Sequence, residues 1–500
     1  MSRAIHYDVR KRRVANWTGE HNALMQLDGD TCYRALTAHD ARFDGRFFVG
    51  VTSTRIYCRP VCNVRTPRRE NCRFFRSAAA AEVAGFRPCL RCRPELAPGN
   101  ASIDAGARLA QAAVRLIEDG TIDSGGVERL ASRVGVTSRH LRRIFADEFG
   151  VSPIDYAQTQ RLLLAKRLLT DTALPVTDVA LTSGFASLRR FNAAFRERYR
   201  MAPSQLRREA APDALPAMLE FRLHYRPPYD FAAMLDFLDR RAVSGLESVD
   251  GKAYRRTLRI AHANVVHRGR VEVRAQPRRH ALALKVSGSL ARVVPQILTL
   301  ARHAFDIACD PVEIAGRLGP LAQRNPGLRL PGTFDGFELA VRAVIGQQVS
   351  VRGASTLLAR LVERFGEHDA AAPAGLQRYF PDANRIASVQ ADEVAALGVL
   401  PARSRTIVAL AQAVAEGRLD LAPGADVERM RAVLAMLPGV GPWTVEYIAM
   451  RALGWPDAFP SGDLGILKAL GEKSASRALR RSEVWRPWRA YAALHLWSSL

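Results

Sequence analysis

The stretch Val127–Tyr156, VERLASRVGVTSRHLRRIFADEFGVSPIDY, is echoed by Val176–Leu206, VTDVALTSGFASLRRFNAAFRERYRMAPSQL. Ala131 and Gly135 match Ala180 and Gly184 at an offset of 49, and Phe145 and Pro153 match Phe195 and Pro203 at 50. The second copy therefore has one extra residue in its turn. Each copy reads as a short helix, a glycine able to take positive φ, a Ser or Thr N-cap, then a second helix. Two helix-turn-helix units account for this grammar, and their second helices would enter a major groove. The candidate groove residues are Arg139, His140, Arg142 and Arg143 in the first copy, with Arg189, Arg190 and Asn192 in the second. An ordinary helical bundle with arginines on its wet face is the competing reading, and it leaves the duplication unexplained.

Around this repeat the chain divides by pattern into 1–94, rich in cysteine, 102–208, helical, 217–290, strand-rich, and 291–500, helical again. The joints are PELAPGN (Pro94–Asn100) and REAAPDALP (Arg208–Pro216). Segments such as LEFRLHY, YRRTLRIA and RVEVRAQ alternate with period two, as half-buried strands do. The expected fold is multidomain α+β. The 73 Lys and Arg against 49 Asp and Glu leave a formal charge of +24, spread through every third of the chain. A phosphate-rich partner, double-stranded DNA, explains that balance better than a merely solvated surface. No apolar run is long enough to span a bilayer, and the basic N-terminus lacks a secretory apolar core, so a cytoplasmic, nucleoid-associated bacterial protein is expected.

Six of the seven cysteines fall in the first hundred residues. Cys58 and Cys62 form C-x3-C, and Cys89 and Cys92 form C-x2-C, a four-thiolate zinc spacing that would also staple a small core. Zinc as a staple alone is the bland reading. Against it, four thiolates on one divalent ion leave about −2 of charge beside Arg55, Arg59, Arg65, Arg68, Arg69 and Arg91. Negative charge facing phosphates suits a sulfur nucleophile better than plain DNA binding, because metal keeps the thiolate deprotonated. Methylating one sulfur would remove one negative charge and tighten DNA binding.

The stretch GVTSTRIYCRPVCNVRTPRRENCRFF…AAEVAGFRPCLRCRPE resembles the zinc domain of the Ada adaptive-response regulators, over about Gly29 to Glu95. The resemblance implies Cys58 as a suicide acceptor of a methyl group from DNA methylphosphotriesters, with Cys62, Cys89 and Cys92 as the other ligands of one zinc ion. Cys32 and Cys72 match no ligand position. The duplicated segment resembles the AraC-type DNA-binding domain, which implies promoter binding and, for an activator, contact with RNA polymerase. Two such units in one chain remove the usual need for a dimer, so a monomer is expected. The Pro-Cys-His-Arg stretch of Ada's alkylguanine methyltransferase domain does not occur.

In the last segment, MLPGVGPWTVEYIAM (Met436–Met450) places Gly439 and Gly441 in a turn between helices, an anion site for a DNA phosphate. Asp463, in FPSGDLGILKAL, follows twenty-two residues after Gly441, and a helix N-cap alone would account for it. With YRPPYDFAAMLDFLDRRAVSGLE, RNPGLRLPGTFDGFELAVRAVIGQQVSV and RPWRAYAALHLW, these stretches resemble 3-methyladenine DNA glycosylase II across Tyr225–Leu500. That resemblance implies Asp463 as the catalytic carboxylate and Trp443, Tyr447 and Trp497 as an aromatic slot for a flipped, cationic alkylpurine; without it, each aromatic would read as core. Gln348 stands where the family has an apolar wedge. Bifunctional relatives carry Lys where Trp443 stands, so a monofunctional enzyme leaving an abasic site is expected. With Cys309 alone in this half, no iron–sulfur cluster is expected. The rival reading is a transcription regulator whose glycosylase half is a catalytically silent DNA clamp.

Overall fold

The structure, a computed structural model, describes residues 28–98, 105–118, 126–172, 174–206, 217–262 and 265–500. The basic N-terminal stretch and the joint at 208–216 lie outside the described residues.

The cysteine-rich module comprises α1 (Gly29–Thr37), β1 (Phe48–Val51), β2 (Ile56–Cys58), β3 (Cys72–Phe75), α2 (Ala78–Val83) and β4 (Arg87–Pro88), with sheet order β3-β1-β2-β4. Asp28 caps α1 by accepting from the Asp30 and Thr31 N–H groups, and Ser77 caps α2. Cys32 and Cys72 pack with Leu36, Phe47 and Val49 in a small core away from the four-cysteine cluster. The joint expected from Pro94 onward is not a free linker. Pro94–Leu96 closes into a 3-10 turn in which Glu95 and Leu96 are buried. Glu95 accepts from Lys166 Nζ at 2.6 Å, and Arg93 bridges Glu95 and Asp171. The Pro/Gly signal marked a turn, and long-range ion pairing fixed it to the next module.

Seven helices follow: α3 (Ala105–Glu118), α4 (Gly126–Arg133), α5 (Ser138–Phe149), α6 (Pro153–Asp171), α7 (Val176–Thr182), α8 (Leu188–Tyr199) and α9 (Pro203–Leu206). Gly135 and Gly184 take φ of 74° and 81°. Thr137 then caps α5 through the His140 N–H, and Ser187 caps α8 through the Arg190 N–H. The connection from α7 to α8 is one residue longer than that from α4 to α5. Gly150 ends α5 in the left-handed region, where the second copy uses Arg200.

The remainder runs β5 (Met218–His224), α10 (Phe231–Asp239), β6 (Glu247–Val249), β7 (Ala253–His262), β8 (Val265–Gln276) and β9 (Ala281–Ser287), then α11 (Val294–Ala304). The strands form one antiparallel sheet, β5-β9-β8-β7-β6. Next come α12 (Pro311–Leu318), α13 (Pro320–Gln323), α14 (Gly336–Ile345), α15 (Val351–Phe365) and a two-residue pair, β10 (Glu367–His368) with β11 (Arg378–Tyr379). The chain finishes with α16 (Ala383–Ala387), α17 (Ala391–Ala395), α18 (Pro401–Ala415), α19 (Val427–Met436), α20 (Pro442–Arg451), α21 (Leu464–Leu470), α22 (Ala475–Ser482) and α23 (Arg489–Ser498). Among the described residues no helix is long and apolar enough to cross a membrane.

Two features set the site. First, α6–α8 and the β-sheet share one apolar core: Leu168, Phe191 and Phe195 belong to the same buried cluster as Phe221, Leu284 and Phe305. Arg167 adds a cation–π contact to Phe221 and donates to the Arg222 carbonyl at 2.8 Å. Second, buried Glu338 on α14 accepts from Arg256 of β7 at 2.6 Å and from Arg342 at 2.9 Å, while Arg342 also pairs with Glu247. These paired charges fix the sheet to the helical body that carries the cleft.

Candidate active site, zinc centre and helix-turn-helix surface

The hairpin between α19 and α20 is held from two sides, by Thr406 and by Gln347. Gly439 has φ of 79°, and a Cβ there would collide with the Thr406 hydroxyl. That hydroxyl donates to the Pro438 carbonyl at 2.8 Å. Gln347 Nε2 donates to the Gly439 carbonyl at 3.1 Å and to Thr444 Oγ1 at 2.9 Å. Gly441 is the N-cap of α20, with no side-chain cap and open space where a Cβ would stand. A phosphate could approach the uncapped helix end there.

Helix α20 carries Trp443 and Tyr447 four residues apart, which puts both on one face. Their rings stack at 5.0 Å with an interplanar angle of 15°, and the Tyr447 ring lies 6.4 Å from that of Trp497 on α23. Asp463 is the N-cap of α21, as its position before LGILKAL allowed. It is more than a cap. Oδ1 accepts from the Ile466 N–H at 3.1 Å and from Trp497 Nε1 at 2.8 Å, while Oδ2 accepts from Trp443 Nε1 at 2.9 Å. No basic side chain is ion-paired with Asp463 among the described residues. All four residues are half-buried, so the carboxylate and its aromatic neighbours are not sealed inside the core.

Three contributors escaped the sequence reading. Gln347, beside the exposed Gln348, buttresses the hairpin; Gln348 itself takes φ of 53°. Arg451 donates to the Tyr447 hydroxyl at 2.7 Å and ties α20 to the Pro331 carbonyl at 2.8 Å. Burial would push the Tyr447 phenol up, but Arg451 and then Arg241 outweigh it and hold the phenol below its ordinary value. Two cations on one phenol could be anticipated only by pairing residues far apart in the chain.

Cys58, Cys62, Cys89 and Cys92 bring their sulfurs within 4.8 Å of one another. Tetrahedral zinc at about 2.3 Å per sulfur sets its ligands about 3.8 Å apart, so the four thiols fit one Zn2+. Cys58 is 5% exposed at the end of β2, and Cys62 and Cys89 are buried also. Cys92 Sγ accepts from the Arg59 backbone N–H at 3.4 Å. The expected ring of arginines needs one correction. Arg59 is buried, ion-paired with Asp44, and donates to the Cys92 carbonyl at 3.1 Å, so it supports the site from inside. Arg55, Arg65, Arg68 and Arg91 are exposed, while Arg69 pairs with Asp30.

On α5 and α8, Arg139, Arg142, Arg143, Arg189 and Arg190 are exposed, while His140 and Asn192 are half-buried. Arg142 lies 3.4 Å from Glu128, and Arg143 meets His140 at 3.1 Å, so the first set is partly engaged locally.

Four family models match in order: the metal-binding domain of Ada at 31–95, a helix-turn-helix domain at 130–209, the AlkA N-terminal domain at 220–335, and the HhH-GPD superfamily of base excision DNA repair proteins at 341–478. A Mycobacterium tuberculosis protein named "Probable bifunctional transcriptional activator/DNA repair enzyme AlkA" is 41% identical over 491 residues, covering 95% of this chain and 97% of that protein. The chain belongs to the bifunctional AlkA activator and repair family. The Escherichia coli "DNA-3-methyladenine glycosylase 2" is 37% identical over 277 residues, 55% of this chain and 96% of that protein. Escherichia coli "Bifunctional transcriptional activator/DNA repair enzyme Ada" is 37% identical over 161 residues, covering 32% of this chain and 43% of the relative. The bifunctional AlkA arrangement thus joins an Ada-like front to a complete glycosylase body.

Proposed function

We propose that this AlkA-family chain excises alkylated purines, of the 3-methyladenine and 7-methylguanine class, and couples that repair to its own transcriptional response. The observation that carries the reading is the Asp463 carboxylate held between two indole N–H groups at the edge of an aromatic slot. An alkylpurine extruded from the duplex enters against the stacked Trp443 and Tyr447, where its positive charge meets ring faces worth roughly 0.5–2 kcal/mol per contact. The bond from C1′ to the purine nitrogen breaks with its electron pair going to the base, which leaves neutral. Asp463 faces the sugar cation, then takes a proton from the water that adds at C1′. Trp443 stands where an amine would be needed to form a Schiff base, so the product is an abasic site with the strand intact.

In the front half, Cys58 takes the methyl group of a DNA methylphosphotriester. Its sulfur bonds to the methyl carbon, and the carbon–oxygen bond breaks toward the phosphate, leaving an ordinary diester. Bound zinc supplies a thiolate that stays deprotonated at neutral pH. Methylation removes one negative charge from a surface bearing Arg55, Arg65 and Arg91, which strengthens promoter binding through α5 and α8. As an activator the chain contacts RNA polymerase, and it acts at the nucleoid as a monomer.

One experiment tests both halves. The zinc-loaded protein is incubated with duplex DNA treated with a methylating agent, and released bases and intact protein mass are read. Free methylated purines together with one methyl on Cys58 are expected. A protein that releases no base, or that gains no methyl, loses the corresponding half of the reading.

A further inference from the structure

Between the second helix-turn-helix and the glycosylase sheet lies a cleft of about 630 Å³. One wall is the turn from Thr182 to Ala186, directly before the Ser187 cap of α8 and the exposed Arg189 and Arg190. The other wall belongs to the glycosylase half: His262 at the end of β7, His267 on β8, and Arg292 in the 3-10 turn (Gly288–Val293) that leads into α11. The first turn of α11, which has no side-chain cap, lines the same wall with Pro295 and Gln296.

Arg255, Arg259, Arg268 and Arg274 each pair with a carboxylate. Arg292 is exposed and pairs with none among the described residues. Burial, then His262 and Arg292, push the His267 imidazole below its ordinary value, as in a cationic cluster without a counter-anion. The carboxylates lining the cleft are Asp178 on α7 and Glu95 at its floor, and Glu95 is already neutralised by Lys166 and Arg93. In a helix-turn-helix, the first helix crosses the phosphate backbone and the N-terminal residues of the second reach base edges, so the turn that joins them lies beside a phosphate strand. An unpaired guanidinium opposite that turn complements the same strand.

We propose that Arg292, with His262 and His267 beside it, belongs to the promoter-binding surface: the phosphodiester strand that passes α8 also lies against this wall of the glycosylase half. The inference rests on the promoter-binding reading above and adds that the repair half supplies phosphate contacts to it. It gives the fusion a physical consequence, since the DNA footprint of α8 extends onto the sheet with which α6–α8 share a core.

The test uses the full-length, zinc-loaded chain and an undamaged mixed-sequence duplex, with affinity followed by fluorescence anisotropy across a salt series. Arg292→Ala is expected to lower the slope of log K against log salt by about 0.9, the value of one lost phosphate contact. In an Arg189→Ala/Arg190→Ala background, the same substitution should change the slope little, because the strand is no longer held there. An unchanged slope overturns the proposal, as does an equal drop in both backgrounds, which would place the contact on DNA held elsewhere. If Arg189→Ala/Arg190→Ala alone leaves affinity untouched, promoter binding through α8 fails and the inference falls with it.

Discussion

Trp497→Phe separates two roles that one indole plays in the cleft. The Trp497 ring lines the slot beside Tyr447, and its Nε1 donates to Asp463 Oδ1 at 2.8 Å. Phenylalanine keeps an aromatic face and removes the donor. A hydrogen bond to a charged group contributes about 1.5–3 kcal/mol, and each 1.36 kcal/mol on a barrier is tenfold in rate. If the whole bond serves the transition state by holding the carboxylate toward C1′, kcat falls by about 10- to 150-fold. KM should move little, since the stacking surface survives. Trp497→Ala should lower kcat and raise KM together. Single-turnover base release, with substrate affinity measured in parallel, reads both quantities. A Trp497→Phe enzyme with wild-type kcat would refute the reasoning and leave the indole as a stacking surface only.

Gly439→Ala meets both a left-handed φ of 79° and the Thr406 hydroxyl, so it should cost about 1–3 kcal/mol at the hairpin and weaken duplex binding measured by anisotropy. Glu338→Ala leaves Arg256 buried without its acidic partner, and thermal melting should show a loss of about 3–5 kcal/mol; an unchanged melting point would contradict the account of the junction. Glu82 is buried where α2 meets α6 and α8, accepting from Tyr57 at 2.9 Å, Thr159 at 3.3 Å and Arg198 at 3.3 Å. Burial pushes its carboxyl up from 4.5 to about 7. The folded state thus holds the proton more tightly than the unfolded one, so this contribution is complete below 4.5 and is lost as pH rises through about 7, at roughly 1.4 kcal/mol per pH unit in between. Amide exchange in α8 should accelerate over that window, and Glu82→Gln should flatten the response.

Local signals carried far in this sequence because the functional parts are built from local grammar. A glycine at positive φ followed by a Ser or Thr cap marks each helix-turn-helix, and Gly135, Thr137, Gly184 and Ser187 adopt those roles. The two cysteine pairs meet as four clustered sulfurs, because close spacing within each pair leaves only one loop to close. What stayed hidden depends on residues far apart in the chain. Nothing near Pro94 announces that Lys166 will pin Glu95, and nothing near Arg59 announces Asp44. The indole contacts to Asp463 are of the same kind: the aromatic positions read as stacking surfaces, and their N–H groups turned out to hold the acid. The shared core of α6–α8 and the β-sheet likewise has no sequence signature, since each element is amphipathic in its own period and its partner is unspecified.

The decisive measurement is single-turnover release of a methylated purine from duplex DNA by Asp463→Asn beside the wild type, with binding to an abasic-site duplex as the control. The amide keeps the shape and loses the negative charge opposite the sugar. Base release should fall by about 10²-fold or more while abasic-site binding stays within a few-fold of wild type. An asparagine variant that releases base at the wild-type rate would contradict the account at its centre.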